Sequence, residues 1–351
     1  VGVRVLVTGH HGYIGSVLCP LLLERGHDVV GFDTEYFSDY EFLPPEAKVK
    51  ELRGDVREIE RADLEGCDAV VHLAALSNDP MGKLDARLTD DINHKASVRL
   101  ARLAREAGAS RFVFSSSCST YGAGSDDILD ETAEFRPVSA YAVSKVDTER
   151  GLAELASDSF SPVYLRNATA YGLSPRMRAD LVVANFVGWA VTTGEIRIMS
   201  DGTPWRPIVH IRDISAAMAA ALEAPRQSIH NVAFNIGRDQ ENYRVREIAD
   251  VVARVVPGTR IVYAGTGEPD KRSYRVSFAK VARELPGFRP EWDVEKGARE
   301  IYQAFRQHAL TPEEFAGRHL IRLEQLRYLM DTSKIDSDLR WTSTTPTRVP
   351  A

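Results

Sequence analysis

The sequence predicts an α/β protein: a doubly wound parallel sheet followed by a smaller mixed α/β lobe. Three observations carry that prediction. Short apolar runs alternate with longer amphipathic segments through the first half of the chain. The runs are apolar or small nearly throughout, as strands covered on both faces must be. The first run also passes through three regularly spaced glycines into a helical stretch. Strands separated by helices require crossover connections, and crossovers make a parallel sheet.

Taken in order, Val3–Val7 is the first strand, and Ile14–Arg25 the helix that follows it. Val29–Phe32 and Ala69–Leu73 supply the next two strands. The segment Asp91–Ala107 places Ile92, Ala96, Leu100, Leu103 and Ala107 at spacings of three and four, which gives a helix one apolar face. Arg111–Ser115 begins a fourth strand. Further on, Val163–Leu165 reads as a strand and Asp180–Thr193 as a helix, followed by a Pro- and Gly-punctuated loop over Asp201–Pro207. A helix over Ile211–Ala221, a strand at Val232–Ile236 and a helix at Val245–Val255 come next. After Pro290 the chain is helical and rich in Arg and Glu, with no evident chemistry.

Composition narrows the class. A chain of 351 residues, 44% hydrophobic and 27% charged, buries a large core and does not resemble a disordered one. The net charge of -6 is modest, and Lys and Arg are dispersed, so neither a nucleic-acid groove nor a basic membrane face is expected. The three cysteines, Cys19, Cys67 and Cys118, are too few and too scattered for a disulfide framework or a zinc site. No apolar stretch approaches the ~18 residues of a membrane span, and the opening run is too short for a signal peptide. A cytoplasmic protein is expected.

The opening reads Thr8-Gly9-His10-His11-Gly12-Tyr13-Ile14-Gly15. The glycines have separate tasks: Gly9 permits the turn, Gly12 lets a pyrophosphate approach the backbone, and Gly15 lets the helix pack against the sheet. An anion there meets free N–H groups at the positive end of a helix. Asp33 ends the second strand, where a carboxylate accepts hydrogen bonds from the adenosine ribose and repels a 2′-phosphate. Thr34 and Glu35 follow it without an arginine, which favours NAD over NADP. His10 and His11 have no acidic or cysteine partner at ligand spacing, so no metal is expected.

A second constellation lies downstream. The fourth strand ends in Ser115-Ser116-Ser117-Cys118-Ser119-Thr120-Tyr121-Gly122, and Tyr141-Ala142-Val143-Ser144-Lys145 places a phenol one helical turn from an ammonium. Hydride transfer from a carbinol needs a base for the hydroxyl proton. A free tyrosine titrates near ~10, and a neighbouring cation favours its phenolate. Ser117 can hold the same oxygen.

These motifs resemble the extended short-chain dehydrogenase/reductase family, in its branch of nucleotide-sugar epimerases and dehydratases. Supporting segments are Gly54-Asp55-Val56, His72-Leu73-Ala74-Ala75, Asn93, Leu165–Gly172 and Arg206–Asp213, so that the resemblance spans roughly residues 3–300. It implies a Rossmann-type sheet and an NAD cofactor bound by Gly9, Gly12, Tyr13, Ile14, Gly15, Asp33, Asp55, Val56, Ala74, Ala75, Asn93, Tyr141 and Lys145. The implied catalytic residues are Ser117, Tyr141 and Lys145. For a nucleotide-diphosphate sugar substrate it implies Ser117, Thr169, Asn185 and Arg206, with Arg272 or Arg275 as a further phosphate ligand. A homodimer is implied through the helix after Ile92 and the one bearing Tyr141, where apolar Val98 and Ala142 are compatible with contact. The expected division is 1–165 for the NAD-binding domain, to which later segments return, 166–300 mainly for the substrate lobe, and 301–351 for a helical extension that caps this lobe or extends a subunit contact.

Two departures bear on the reaction. Sugar 4,6-dehydratases of this family follow their catalytic residue with an Asp-Glu pair, whereas Ser117 precedes Cys118 and Ser119. That favours 4-epimerisation through a transient keto sugar. Cys118 is also a candidate acid/base for epimerisation beside a keto group, weighed against a small residue packed behind the strand end. Thr169 stands where many relatives carry Asn, so the sugar pocket departs from theirs. The alternatives are a dehydratase or keto-sugar reductase of the same family, and more remotely a non-catalytic NAD-binding regulator.

Overall fold

The structure, a computed structural model, describes residues 2–77, 85–122, 127–265 and 273–342. Seven parallel strands form the main sheet: β1 (Arg4–Thr8), β2 (Asp28–Asp33), β3 (Lys50–Arg53), β4 (Ala69–His72), β5 (Arg111–Ser117), β7 (Ser161–Asn167) and β11 (Val232–Ile236). Their order, β11-β7-β5-β4-β1-β2-β3, reverses direction between β1 and β4. At that switch point the loops leaving the strand ends diverge to opposite faces and open a crevice.

The inner strands form because their residues are buried on both faces; β3, at the edge, is half-exposed. Val5, Val7, Val71, Val113 and Val163 point to one side and pack with the helices Gly15–Glu24 and Ile211–Glu223. Leu6, Val30, Val70, Phe112 and Phe114 point to the other and pack with Leu100 and Ala104 of the helix Ala96–Glu106. A π-helical turn, Asp90–Lys95, precedes that helix. The Asn93 carbonyl within it accepts from Ser97 Oγ at 2.7 Å and Thr148 Oγ1 at 3.0 Å, which satisfies the irregular backbone.

A second core joins the helices Val182–Thr193, Val245–Val255 and Val294–Gln307 through Val183, Val187, Ile248, Val252, Ile301 and Phe305. Around this lobe lie three small strand groupings: β6 (Ile128–Leu129) with β14 (Arg275–Val276), β9 (Glu195–Ile198) with β13 (Arg260–Tyr263), and β10 (Trp205–His210) between β8 (Thr169–Tyr171) and β12 (Asn242–Arg244).

Several expectations need correction. Asp201–Pro207 does not remain a loop to its end, because Trp205, Arg206 and Pro207 pair with Arg244, Tyr243 and Asn242. The strand ending in Ser117 is the fifth in the chain, since the charged edge strand β3 intervenes. The C-terminal helix Arg322–Asp331 does not cap the substrate lobe alone. Its Leu326 and Leu329, with Ile335 and Leu339, enter the core beneath the main sheet. Ala142 is buried, whereas Val98 is half-buried and packs over Gly151. Among the described residues no helix is long and apolar enough to cross a membrane.

Candidate active site

One cavity of about 770 Å³ occupies the crevice at the carboxyl ends of β1, β4 and β5 and extends beneath the second lobe. The glycine turn forms its floor. Gly9 sits at φ +75°, and a Cβ there would meet the Ala74 nitrogen at 2.8 Å. A Cβ on Gly15 would lie 2.3 Å from the Gly9 oxygen, so both positions demand glycine. Gly12 differs: a Cβ would touch only the Gly9 oxygen, at 3.0 Å. Its open side faces the cavity, which suits the close approach of a dinucleotide pyrophosphate.

Asp33 sits at the end of β2, and its carboxylate accepts from the backbone N–H of His11 at 3.1 Å and of Glu35 at 2.8 Å. Tyr13, Ile14, Asp55, Val56, Ala74 and Ala75 line the same cavity. Arg57 grips the Asp55 carboxylate, its Nε at 3.0 Å from both oxygens. His72 links β4 to its surroundings by bonds to Thr8 Oγ1 and Ser97 Oγ, both 2.6 Å. Burial pulls its imidazole down to about 3, so the ring is neutral.

Asn93 stands behind the wall, not on it. Its amide donates to the Leu76 carbonyl at 3.1 Å and accepts from the Leu76 N–H at 2.8 Å, so it shapes the loop and does not face the cavity.

The reacting groups converge from two elements. β5 carries Ser117 to the rim, where its Oγ accepts from the Ser119 N–H at 3.1 Å and keeps its own proton to donate. Ser139 caps the helix Ala140–Ala153 through a bond from the Ala142 N–H at 3.2 Å, and this starts the helix just before Tyr141. One turn later Lys145 lies under the Tyr141 ring, 5.6 Å from its centroid. Lys145 Nζ donates to the Ser115 carbonyl at 2.7 Å, and burial pulls its ammonium down to about 7. Ser117, Tyr141 and Lys145 all line the cavity.

Behind them Arg166 and Glu149 form a buried ion pair at 2.7 Å, and Ser116 Oγ donates to the same carboxylate. This pair fastens the helix bearing Tyr141 to β7. Cys118 points the other way. Its thiol is buried, donates to the Arg166 carbonyl at 3.1 Å and is absent from the cavity wall, while burial drives its ionisation far up. An acid/base role for Cys118 is therefore corrected to a packing role.

In the second lobe Thr169, Asn185 and Arg206 line the cavity. The Asn185 amide donates to the Ala179 carbonyl at 3.0 Å. Arg275 is not on the wall; its guanidinium stacks over Trp205 at 5.1 Å, and Tyr274 lines the cavity beside it. Arg272 lies outside the described residues. His210 accepts from the Arg212 N–H, contacts Glu300 at 3.1 Å and stacks on Trp292, in keeping with a packing residue.

Sequence reasoning missed several wall residues. Arg178 and Asp180 pair at 2.8 Å, and Arg178 Nη1 donates to Ser77 Oγ at 2.9 Å. Asn167 donates to Ser115 Oγ at 3.0 Å, and its Oδ1 is buried with no hydrogen-bond partner among the described residues. An amide in the quoted Leu165–Gly172 segment was the available signal for Asn167. None marked Arg178.

An acidic neighbour for the two histidines also appears, contrary to the sequence reading. Glu51, on β3, brings its Oε1 to 3.1 Å from His11 Nε2 and 3.8 Å from His10 Nε2. Arg176 Nη2 lies 3.1 Å from His11 Nδ1, which assigns the proton to Nε2 and directs it at Glu51. That nitrogen is engaged as a donor. His10 packs against Gly31, where a Cβ would lie 2.3 Å from the ring, and burial lowers its imidazole to about 4.

Comparison with known proteins gives the family. The family model described as "NAD dependent epimerase/dehydratase family" matches residues 5–237. A UDP-glucose 4-epimerase of Corynebacterium glutamicum is 30% identical over 269 residues, covering 72% of this chain and 80% of that one. Among solved structures, MoeE5 in complex with UDP-glucuronic acid and NAD superposes with a TM-score of 0.76 at 28% identity, covering 88% of this chain and all of that one. TunA, an NAD-dependent NDP-hexosamine 5,6-dehydratase involved in tunicamycin biosynthesis, gives 0.77 at 25% identity, over 87% of this chain and 98% of its own.

Proposed function

The chain belongs to the NAD dependent epimerase/dehydratase family, and from that premise we propose that it is a nucleotide-sugar 4-epimerase. The observation carrying this reading is the convergence of Ser117, Tyr141 and Lys145 on a cavity that also holds the glycine turn and Asp33. Bound NAD supplies the hydride acceptor and later the donor. Tyr141 takes the proton of the sugar hydroxyl, and Ser117 donates a hydrogen bond to the same oxygen. Lys145 supports the phenolate. Asp33 receives the adenosine ribose, and Arg206 meets the substrate diphosphate. No carboxylate follows Ser117 to drive loss of water, and Cys118 is turned into the core, which supports return of the hydride to the opposite face of the same carbon.

The relatives' names favour a uridine diphosphate hexose as the first substrate to offer. A dehydratase reading draws on the similarity to TunA. Free, buried Cys19, Cys67 and Cys118 support a reducing, cytoplasmic setting. For a homodimer, the outer face of the helix Ala140–Ala153 offers exposed Val143 in place of buried Ala142, beside half-buried Val98.

The test is mass spectrometry, with chromatographic separation of isomers, on uridine, thymidine, guanosine and cytidine diphosphate sugars incubated with protein and NAD. A new isomer of unchanged mass supports the proposal and identifies the nucleotide. A product lighter by one water supports the dehydratase instead.

A further inference from the structure

The C-terminal segment reaches the cavity at a point the glycine turn and the Tyr141 helix do not cover. Arg322 and Leu326, one helical turn apart on the helix Arg322–Asp331, lie on the cavity wall beside Phe37 and Tyr36. Arg322 is only 5% exposed. Its Nη2 donates to the Arg176 carbonyl at 2.9 Å, and its guanidinium lies 4.2 Å from the centre of the Phe37 ring. Among the described residues no carboxylate stands within ion-pairing distance of it.

The nearby carboxylates, Asp180 and Asp33, offset its charge only in part. Asp180 is held by Arg178, and Asp33 already accepts from two backbone N–H groups. Arg176 and Arg178 add positive charge on the same side, and burial with that repulsion pulls the Arg322 guanidinium down to about 9. A buried cation without a direct ion-pair partner is costly, and among the described residues only the Arg176 carbonyl accepts from its five donors.

The segment is fastened to the loops that end β2 and follow β3. Gln325 Nε2 donates to the Tyr36 carbonyl at 2.9 Å and to Asp39 Oδ1 at 3.1 Å. Trp341 Nε1 donates to the Thr34 carbonyl at 2.8 Å, and Arg57 Nη1 to that of Asp338 at 2.8 Å. The Tyr36 hydroxyl donates to the Leu339 carbonyl. Every one of these bonds ties residues 325–341 to the stretch just after Asp33 or Asp55.

We propose that Arg322 is a cofactor-binding residue that pairs with the diphosphate of the dinucleotide, and that the C-terminal segment closes the adenosine end of the cavity. The proposal rests on the reading of that cavity as an NAD site. Two diphosphates would share the cavity, and position decides between them. Arg322 sits against Phe37 and Arg176, and Arg176 reaches His11 in the glycine turn, whereas Arg206 belongs to β10 in the other lobe. A guanidinium offers an oxyanion paired, charge-assisted bonds. The segment thereby contributes to retention of NAD.

The test uses the full chain, freed of nucleotide, as wild type and as Arg322→Gln and Arg322→Lys, titrated calorimetrically with NAD, ADP-ribose, adenosine and UDP. Arg322→Gln is expected to weaken NAD and ADP-ribose by about tenfold or more, with adenosine and UDP unchanged and Arg322→Lys intermediate. Its nucleotide-free Tm should be no lower than that of wild type, because a buried charge with no direct ion-pair partner has been removed. Equal NAD affinity in wild type and Arg322→Gln overturns the proposal while leaving the NAD reading intact. Parallel loss of adenosine affinity, or loss confined to UDP, overturns it as well. Failure of the wild type to bind NAD overturns both.

Discussion

Lys145 donates to the carbonyl of Ser115, two residues before Ser117 in the same strand. The bond ties the helix that carries Tyr141 to the strand that carries Ser117, so the phenol and the hydroxyl are set against one another before any substrate arrives. It also leaves a buried ammonium with one carbonyl partner.

That burial has a signature in pH. The Lys145 ammonium is pulled from its usual 10.5 to about 7. Between these values the unfolded chain binds a proton that the folded one has released, so this group makes stability rise with pH across that window. Below about pH 7 both states are protonated and the full cost of burying the charge applies. Lys145→Met should therefore raise Tm relative to wild type most at pH 6, with the difference shrinking towards pH 10. A Tm difference that does not vary with pH contradicts the assignment.

The Arg166–Glu149 pair is the second fastening of that helix. Glu149→Gln leaves a buried guanidinium without its counter-charge and should cost about 3–5 kcal/mol, read by urea denaturation. An effect below about 1 kcal/mol would mean that the pair is no more than a surface bridge.

Cys118 separates a chemical from a packing role. Its thiol is buried and its ionisation is raised. Cys118→Ala should keep isomerase activity within about twofold of wild type and lose about 1–2 kcal/mol of stability to a small cavity, and the native thiol should resist iodoacetamide until the protein unfolds. Loss of activity at unchanged Tm would restore the acid/base role.

The glycines divide by what surrounds them. Gly15→Ala brings a Cβ within 2.3 Å of the Gly9 carbonyl and should lower Tm and abolish NAD binding together. Gly12→Ala meets the Gly9 carbonyl oxygen at 3.0 Å, a milder contact, and should cost less Tm than Gly15→Ala while losing NAD affinity at least about tenfold, since its Cβ also obstructs the ligand. Equal effects of the two on Tm would contradict the separate roles.

What the sequence revealed was local. Val5, Val29, Val70 and Val113 are legible because strands buried on both faces are apolar at nearly every position, and Gly9, Gly12 and Gly15 announce their turn by spacing alone. β3, Lys-Glu-Leu-Arg, is a half-exposed edge with no apolar run, and it hides Glu51 until the sheet places it beside His10 and His11. β10 begins inside a stretch rich in Gly and Pro and is held as a strand by pairing with β12 and β8. Cys118 follows Ser117 directly, yet it points into the core because the chain turns into a short 3-10 helix there. Arg178 and Arg322 carry no local signature. Only tertiary folding brings them to a cavity whose glycine turn lies near the other end of the chain.

The central claim is that one carbon is oxidised and then reduced by the same hydride. It is tested most directly by incubating the protein with NAD and UDP-glucose in D2O and weighing the separated nucleotide sugars. The account predicts a second UDP-hexose of unchanged mass with no deuterium bound to carbon, and no such product from Tyr141→Phe. A product lighter by one water, or an isomer carrying carbon-bound deuterium, would contradict it.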